Sequence, residues 1–223
     1  MIYIFSGFVF GLLIPYIARR FSKFMPATMA YGLYRLVWPI KTVCRQKRLH
    51  NVKYQRLKRQ YIMRSIGWGI VSAGLSYAAH ICLPSDFYIA LIWILLALYE
   101  IDKRMFLLPD ILTVPLLILG FVFAATRADF ALLSALGAAA GYILPVISSL
   151  LIVKKYPEAF GGGDIKLLAA VGAWIGLSNV PILLVASCIV FGAFCLIKHE
   201  RTGAFGPAIV ISTIGLVFYL HLM

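Results

Sequence analysis

Residues 87–101 have the sequence FYIALIWILLALYEI, in which Glu100 is the only charged residue. A mainly apolar run of this kind predicts a helix that crosses the hydrocarbon core of a membrane. Because its apolar residues are continuous rather than alternating, the run favours a helix over a barrel strand. Seven further segments have the same character, so the chain is expected to be all-α and polytopic, with about eight transmembrane helices. The predicted spans are 2–18, 62–83, 87–101, 111–125, 130–153, 165–177, 180–197 and 207–222.

The composition of the 223-residue chain agrees with this expectation. Hydrophobic residues make up 62% of the chain and charged residues 13%, and the mean hydropathy is +0.94. A soluble domain has about 45–50% apolar and about 25% charged residues. The composition therefore excludes a soluble globular protein, a disordered chain and a nucleic-acid-binding domain, even though the net charge is +13.

The positions of the basic residues predict the orientation of the chain. If residues 19–61 are cytoplasmic, eight spans place all of the 21 Lys and Arg residues except Arg127 on the cytoplasmic side. Positively charged connectors stay inside, so the N- and C-termini are both expected outside. The chain then divides into a first transmembrane helix (1–18), a basic cytoplasmic loop (19–61) and a seven-helix membrane core (62–223).

The segment between Arg19 and Arg64 contains no acidic residue. Basic side chains beside a membrane surface bind anionic headgroups, so anionic membrane lipids are expected partners. A docking surface for an acidic protein is the alternative. No nucleic-acid partner is expected, because the orientation of the chain already accounts for the charge.

Cysteine and histidine give no metal-binding pattern. The four cysteines, Cys44, Cys82, Cys188 and Cys195, form no CxxC pair, and the histidines are dispersed. Ligand spacing therefore predicts no metal site. The chain also lacks GxGxxG, P-loop, HExxH and GxSxG motifs, which leaves its acidic residues as the candidates for chemistry.

Most of the eight acidic residues map to the cytoplasmic ends of the predicted spans. An acidic side chain at a membrane edge is energetically unfavourable unless it pairs with another group or takes part in the function of the protein. Two neighbouring carboxylates, one protonated and one ionised, can activate a water and protonate a leaving amine, as in aspartic proteases. Such a pair needs neither a metal nor a nucleophilic side chain.

Asp164 is one candidate for such a pair, and Asp102, Glu100 and Asp110 are its candidate partners. Asp102 lies at the negative end of a helix dipole, which is unfavourable for a carboxylate and favours a functional role, although the basic residues that follow it are placed to neutralise it. Glu100 has a similar placement. Asp110 is in the position of an N-cap for the helix 111–125.

Three glycines precede Asp164 in the stretch FGGGDIKLL (160–168). Glycines permit a sharp bend and the close approach of an extended peptide, or simply a flexible turn. Asp164 is expected either to act in catalysis or to cap the helix that follows it. Lys166 is expected either to lower the pKa of Asp164 or to extend its ammonium group towards the membrane surface.

Three segments carry more specific motifs. Ile101-Asp102 is followed by LLPDILTVPLL (107–117), and later come GGGDIKLLAAVGAW (161–174) and FGP (205–207). In order, spacing and span layout they resemble the first signature, the GxGD signature and a shorter motif before the last helix of the type IV prepilin peptidases.

That resemblance implies an intramembrane aspartyl protease of the bacterial inner (cytoplasmic) membrane. Such enzymes remove the basic leader of type IV prepilins or type II secretion pseudopilins, usually after a glycine, at the cytoplasmic face. The resemblance implies Asp102 and Asp164 as the catalytic residues. It places Gly161, Gly163 and Lys166 in the second motif as supporting residues, and it implies no cofactor for proteolysis.

The predicted loop 19–61 departs from the family pattern. Many members of that family carry two CxxC pairs there, which bind zinc, and methylate the new N-terminus with S-adenosylmethionine. This loop contains only Cys44, so no zinc is expected and methylation is in question. The alternatives are a bifunctional peptidase and methyltransferase, a membrane transporter that uses the acidic pair, and a non-catalytic assembly factor. Acids clustered at one face disfavour a transporter, which would hold them near the midplane.

Overall fold

The computed structural model describes residues 1–23, 52–152, 161–199 and 203–222. These residues form eight α-helices and two short 3-10 turns, with no strand among them, which confirms the all-α fold class. The helices are α1 (Ile2–Lys23), α2 (Val52–Cys82), α3 (Phe87–Met105), α4 (Asp110–Ala125), α5 (Ala131–Ile152), α6 (Gly162–Ile175), α7 (Val180–Lys198) and α8 (Gly206–Leu222).

Each predicted span corresponds to one helix, but two helices extend well beyond their apolar residues. Helix α1 continues to Lys23 and α2 begins at Val52, so both ends of the predicted loop 19–61 are helical. Arg, Lys and Gln are good helix formers, and their long stems let the charged groups reach water. The apolar pattern therefore marks the membrane core rather than the helix ends. The middle of that loop, including Cys44, lies outside the described residues.

Several of the described helices have the length and apolarity of membrane spans. Three stretches are long and apolar enough to cross a membrane, namely Ile2–Phe21, Ala131–Leu150 and Leu177–Ile197. Asp110–Ala125 and Gly206–Leu222 are shorter apolar helices. These helices are those of a polytopic membrane protein; the eight-span count, the outward termini and the domain boundaries stay predictions.

The core of the bundle is centred on α6. Residues 167–175 of this helix are all buried, and a helix that is apolar all round belongs in an interior. The Trp174 ring stacks on Phe123 with centroids 5.3 Å apart, and its Nε1–H donates to the Leu116 carbonyl at 2.9 Å. Helix α6 is thus enclosed by protein, and the residues at its N-terminus are held in a defined place.

Helices α5 and α6 approach closely because small residues face each other. A methyl group on Gly137 would meet the backbone of Gly172, and one on Gly172 would meet the backbone of Gly137. Ser134 Oγ donates to the Ala173 carbonyl across the same interface at 2.7 Å. Small residues and hydroxyl bridges are typical of helix contacts in membranes. Helix α6 is therefore packed against α5 as well as against Leu116 and Phe123 of α4.

Candidate active site

Three segments that are distant in sequence meet at one end of the bundle. Asp102 lies in the last turn of α3, Asp164 lies in the first turn of α6, and Gly206 begins α8. The two aspartates flank the predicted spans 87–101 and 165–177, so both are expected just outside the membrane-spanning segments.

Asp102 is buried, with 4% of its surface exposed. Its Oδ2 accepts a hydrogen bond from the backbone N–H of Gly206, with the nitrogen 3.0 Å away. The first amides of a helix lack partners within it and attract negative charge, so the start of α8 is a suitable place for a carboxylate. Burial raises the pKa of Asp102 from 3.8 to about 6, and the hydrogen bond from Gly206 opposes that rise.

Asp164 is partly buried at the third position of α6. Its carboxylate accepts a hydrogen bond from the backbone N–H of Gly161, the N-cap residue, as the acid of a capping box does. Burial first, and then the negative charge of Asp102, raise its pKa from 3.8 to about 7, whereas the Gly161 hydrogen bond lowers it.

The structure therefore brings Asp102 and Asp164 close enough for their charges to interact. Two such carboxylates do not both ionise easily, so near neutral pH the pair retains one proton. One neutral and one ionised carboxyl group form an acid and a base in the same site. The proton belongs to the pair rather than to either residue. The catalytic role of the two residues stays a prediction.

The two long motifs are held together by direct contacts. A methyl group in place of the Gly163 hydrogen would lie 2.9 Å from Leu108 Cβ, so glycine permits the approach of these two segments. Lys166 Nζ lies 2.7 Å from Asp110 Oδ2 and 2.8 Å from Oδ1. Lys166 thus pairs with Asp110, and the pKa of Asp164 is set by burial, by the charge of Asp102 and by the Gly161 hydrogen bond rather than by Lys166.

The N-cap positions differ from those that the sequence suggested. Pro109 is the N-cap of α4 and Asp110 is the first helical residue, while Gly161 is the N-cap of α6. Asp110 and Asp164 still lie in first turns, where the helix dipole favours negative charge. The prediction that Asp110 or Asp164 is the N-cap residue was therefore wrong. Both carboxylates still lie where the positive end of a helix dipole stabilises them.

Glu100 has partners that remove it from the candidate pair. Its carboxylate is fully buried and lies 2.7 Å from Arg104 Nη2 and 2.9 Å from Arg64 Nη2. A buried carboxylate needs such pairing, and this one ties α2 to α3. Arg104 therefore neutralises Glu100 rather than Asp102. Asp102 accepts a hydrogen bond from the backbone N–H of Gly206.

Residues 205–207 form a motif that is visible in the sequence, but the motif alone assigns no role to Gly206. A Gly-Pro step at a helix start is the available signal, because proline is favoured at the first helical positions and the amides there lack helical partners. That signal does not name the acceptor, which lies 104 residues earlier in the chain.

Among the residues that the structure describes, no group of three His, Cys, Asp or Glu side chains is arranged to hold a metal ion.

The fold and the site define a polytopic helical membrane protein with an interacting aspartate pair at one end of its bundle. Residues 89–197, about half of the chain, match the Type IV leader peptidase family, and this segment is similar to that family. The matched range includes both aspartates, and the family resemblance predicted from the motifs is confirmed.

Several curated relatives carry the name prepilin leader peptidase/N-methyltransferase. The relative from Vibrio cholerae is 28% identical over 176 residues, which cover 76% of this chain and 70% of that protein. The relative from Neisseria gonorrhoeae is 38% identical over 53% of this chain and 43% of its own length. The relative from Escherichia coli K12 is 41% identical over 56% of this chain and 59% of its own length. The chain thus spans about half the length of the last two relatives. No solved structure matches it at a significant level.

Proposed function

We propose that this chain is an aspartyl endopeptidase that cleaves the basic leader from a type IV prepilin or pseudopilin precursor. The observation that carries the proposal is the pair of Asp102 and Asp164: burial raises the pKa of Asp102 to about 6, and burial together with the charge of Asp102 raises the pKa of Asp164 to about 7. The names of the relatives supply the substrate class.

The pair supports hydrolysis by general acid and base catalysis. The ionised carboxylate takes a proton from a water molecule as the water oxygen attacks the scissile carbonyl carbon. The protonated carboxyl group then gives its proton to the amide nitrogen as the C–N bond breaks. The products are a leader with a new carboxyl terminus and a pilin with a new amino terminus, and the pair again holds one proton.

We place this reaction at the cytoplasmic face of the bacterial inner membrane. The aspartates lie at the end of the bundle that also holds Lys103, Arg104 and Lys166, whereas Arg127 lies at the other end of α4. Basic connectors stay on the cytoplasmic side. A leader rich in Lys and Arg would approach this end from the cytoplasm, with its charge opposite to that of the aspartate pair.

We propose that cleavage requires neither zinc nor another cofactor. A four-cysteine zinc site does not fit a loop whose only cysteine is Cys44. The names of the relatives include N-methyltransferase, so methyl transfer from S-adenosylmethionine to the new N-terminus is the second candidate activity. Anionic membrane lipids are proposed partners of the basic segment.

The test mixes the purified protein, in lipid vesicles, with a prepilin-like precursor and follows the precursor by intact mass spectrometry. Loss of the leader reports cleavage, and gain of a methyl group with S-adenosylmethionine reports methylation separately. Asp102→Asn and Asp164→Asn are expected to abolish cleavage while the protein remains inserted. Asp129→Asn, at the opposite end of the bundle, is the matched control and should cleave normally.

Near-normal cleavage by Asp102→Asn or Asp164→Asn would refute the assignment. A metal chelator is expected to leave cleavage unchanged, and its inhibition by the chelator would contradict the metal-free mechanism. A wild-type protein that inserts correctly yet leaves every precursor intact would favour the assembly-factor alternative.

A further inference from the structure

An open apolar groove of about 570 Å³ lies between α2, α3 and α8. Leu96 and Val210 form its floor and are buried, with 4% and 1% of their surfaces exposed. Trp68 and Tyr99 contribute aromatic walls, and Arg64 stands at one end. The groove has no place in the mechanism described above.

The groove leads directly to the aspartate pair. Tyr99 precedes Asp102 by less than one turn of α3, and Val210 follows Gly206 by about one turn of α8. The Gly206 amide is the group that binds Asp102. The two helices that form the floor of the groove are therefore the same two that hold the Asp102 carboxylate.

The dimensions of the groove suit a helix. On α2 its lining runs from Arg64 to Leu75, which is about 16 Å at 1.5 Å per residue. That is about three helical turns and roughly half of a hydrocarbon core of about 30 Å. Gly67 lies in the wall, and a methyl group there would meet nothing within 4 Å. A low wall of this kind allows a second helix backbone to come close.

The charges at the groove favour a peptide helix over a lipid. Arg64 is directed at buried Glu100, with Nη2 2.9 Å from Oε1 and 3.1 Å from Oε2. The guanidinium therefore has a carboxylate partner within the protein that already balances its charge, although 44% of the side chain is exposed. The remaining lining is almost entirely apolar or aromatic, as expected for contact with apolar side chains.

We propose that this groove between α2, α3 and α8 is the docking site for the apolar helix that follows the scissile bond in the precursor. The inference rests on the proposed function and adds where the substrate lies. A helix seated here with its N-terminus towards Asp102 places the preceding peptide bond at the two carboxylates. The basic leader then extends beyond the groove into water.

The kinetic test narrows the groove and compares two substrates. Gly67→Phe fills the groove from a position with open space, and Gly192→Phe on α7 is the matched control, since Gly192 also has nothing within 4 Å and does not line the groove. One substrate carries a leader and an apolar helix of about 20 residues. The other ends a few residues after the scissile bond.

We expect Gly67→Phe to raise KM for the long substrate about tenfold and to leave kcat/KM for the short one unchanged. Gly192→Phe should change neither. If Gly67→Phe cleaves the long substrate and the short substrate with the same kinetics as the wild type, the docking proposal is overturned. Equal losses on both substrates would overturn it as well, because the change would then act on the catalytic site.

A second measurement is independent of cleavage. A photoreactive benzoylphenylalanine is placed at Ile211, on the exposed rim of the groove, or at Gly192. With the long substrate and vesicles of anionic phospholipid present, position 211 is expected to cross-link the apolar helix of the peptide, and position 192 is not. Cross-linking of phospholipid alone at 211 would show a lipid groove and overturn the proposal. Because Asp164→Asn is used as the background, a failure of proteolysis does not affect this readout.

Discussion

Replacing Gly206 by alanine should disturb the site through a single methyl group. That methyl would lie 2.6 Å from Asp102 Oδ2, which is about 0.8 Å inside an ordinary contact of about 3.4 Å. Because the Gly206 amide donates to the same oxygen, the methyl group displaces the carboxylate from this backbone donor. The substitution moves the Asp102 carboxylate but leaves both acidic side chains of the site chemically unchanged.

The magnitude follows from that displacement. A misplacement of about 1 Å costs on the order of 100-fold in rate, so we expect kcat to fall about 10- to 100-fold with little change in KM. A hydrogen bond to a charged group contributes about 1.5–3 kcal/mol, and its weakening disfavours the ionised form. The pKa of Asp102 should therefore rise further above about 6, and the acidic limb of the rate profile should move to higher pH.

The assay measures kcat, KM and the pH dependence of precursor cleavage in vesicles, with thermal unfolding as the check on folding. Gly215→Ala is the matched control, because this glycine lies on the same helix with nothing within 4 Å of an added methyl. It should cleave at the wild-type rate. Wild-type kcat and an unshifted pH profile for a folded Gly206→Ala protein would refute the role of the Gly206 amide.

Two further predictions concern charge. Cleavage by the wild type should be bell-shaped with a maximum between about pH 6 and about pH 7, because Asp102 and Asp164 must together hold one proton; a rate that rises steadily across this range would contradict it. Since both folded-state pKa values are raised above 3.8, thermal stability should fall as pH rises from about 4 to about 7 and then level off, and a double Asn variant that kept this slope would count against the shifts. The Lys166–Asp110 pair is 48% and 49% exposed, so it contributes only about 0–1 kcal/mol to stability. Asp110→Lys or Lys166→Asp should slow cleavage several-fold, and the double exchange should recover most of it if the pair positions α6; kinetics of the double variant no better than those of the singles would exclude that role.

Much of the fold was predictable because its causes are local. Long apolar runs must cross a membrane as helices, since only a helix pairs its own backbone groups there. Each predicted span therefore corresponds to a helix. The exceptions were the basic extensions, Arg19 to Lys23 and the residues from Val52, because charge ends a membrane span without ending a helix.

The two candidate aspartates were predicted from the sequence, but cost alone did not distinguish them. An unused acid at a membrane edge is disfavoured, which applies equally to Glu100 and Asp110. The resemblance of the motifs to those of the type IV prepilin peptidases pointed to Asp102 and Asp164. Their partners were not predictable in this way. Whether Lys166 faces Asp164 or Asp110, and whether Arg104 faces Asp102 or Glu100, depends on how helices rotate and cross, and no sequence spacing specifies that.

The sequence by itself determined a helical membrane protein and pointed to the two acids on which the proposed chemistry depends, because hydrophobicity and motifs are properties of neighbouring residues. Only the tertiary structure decided that Asp102 receives its hydrogen bond from Gly206, that its charge acts on Asp164, and that a groove leads from them along α3 and α8. These are contacts between segments up to 104 residues apart, and they exist only once the helices have packed.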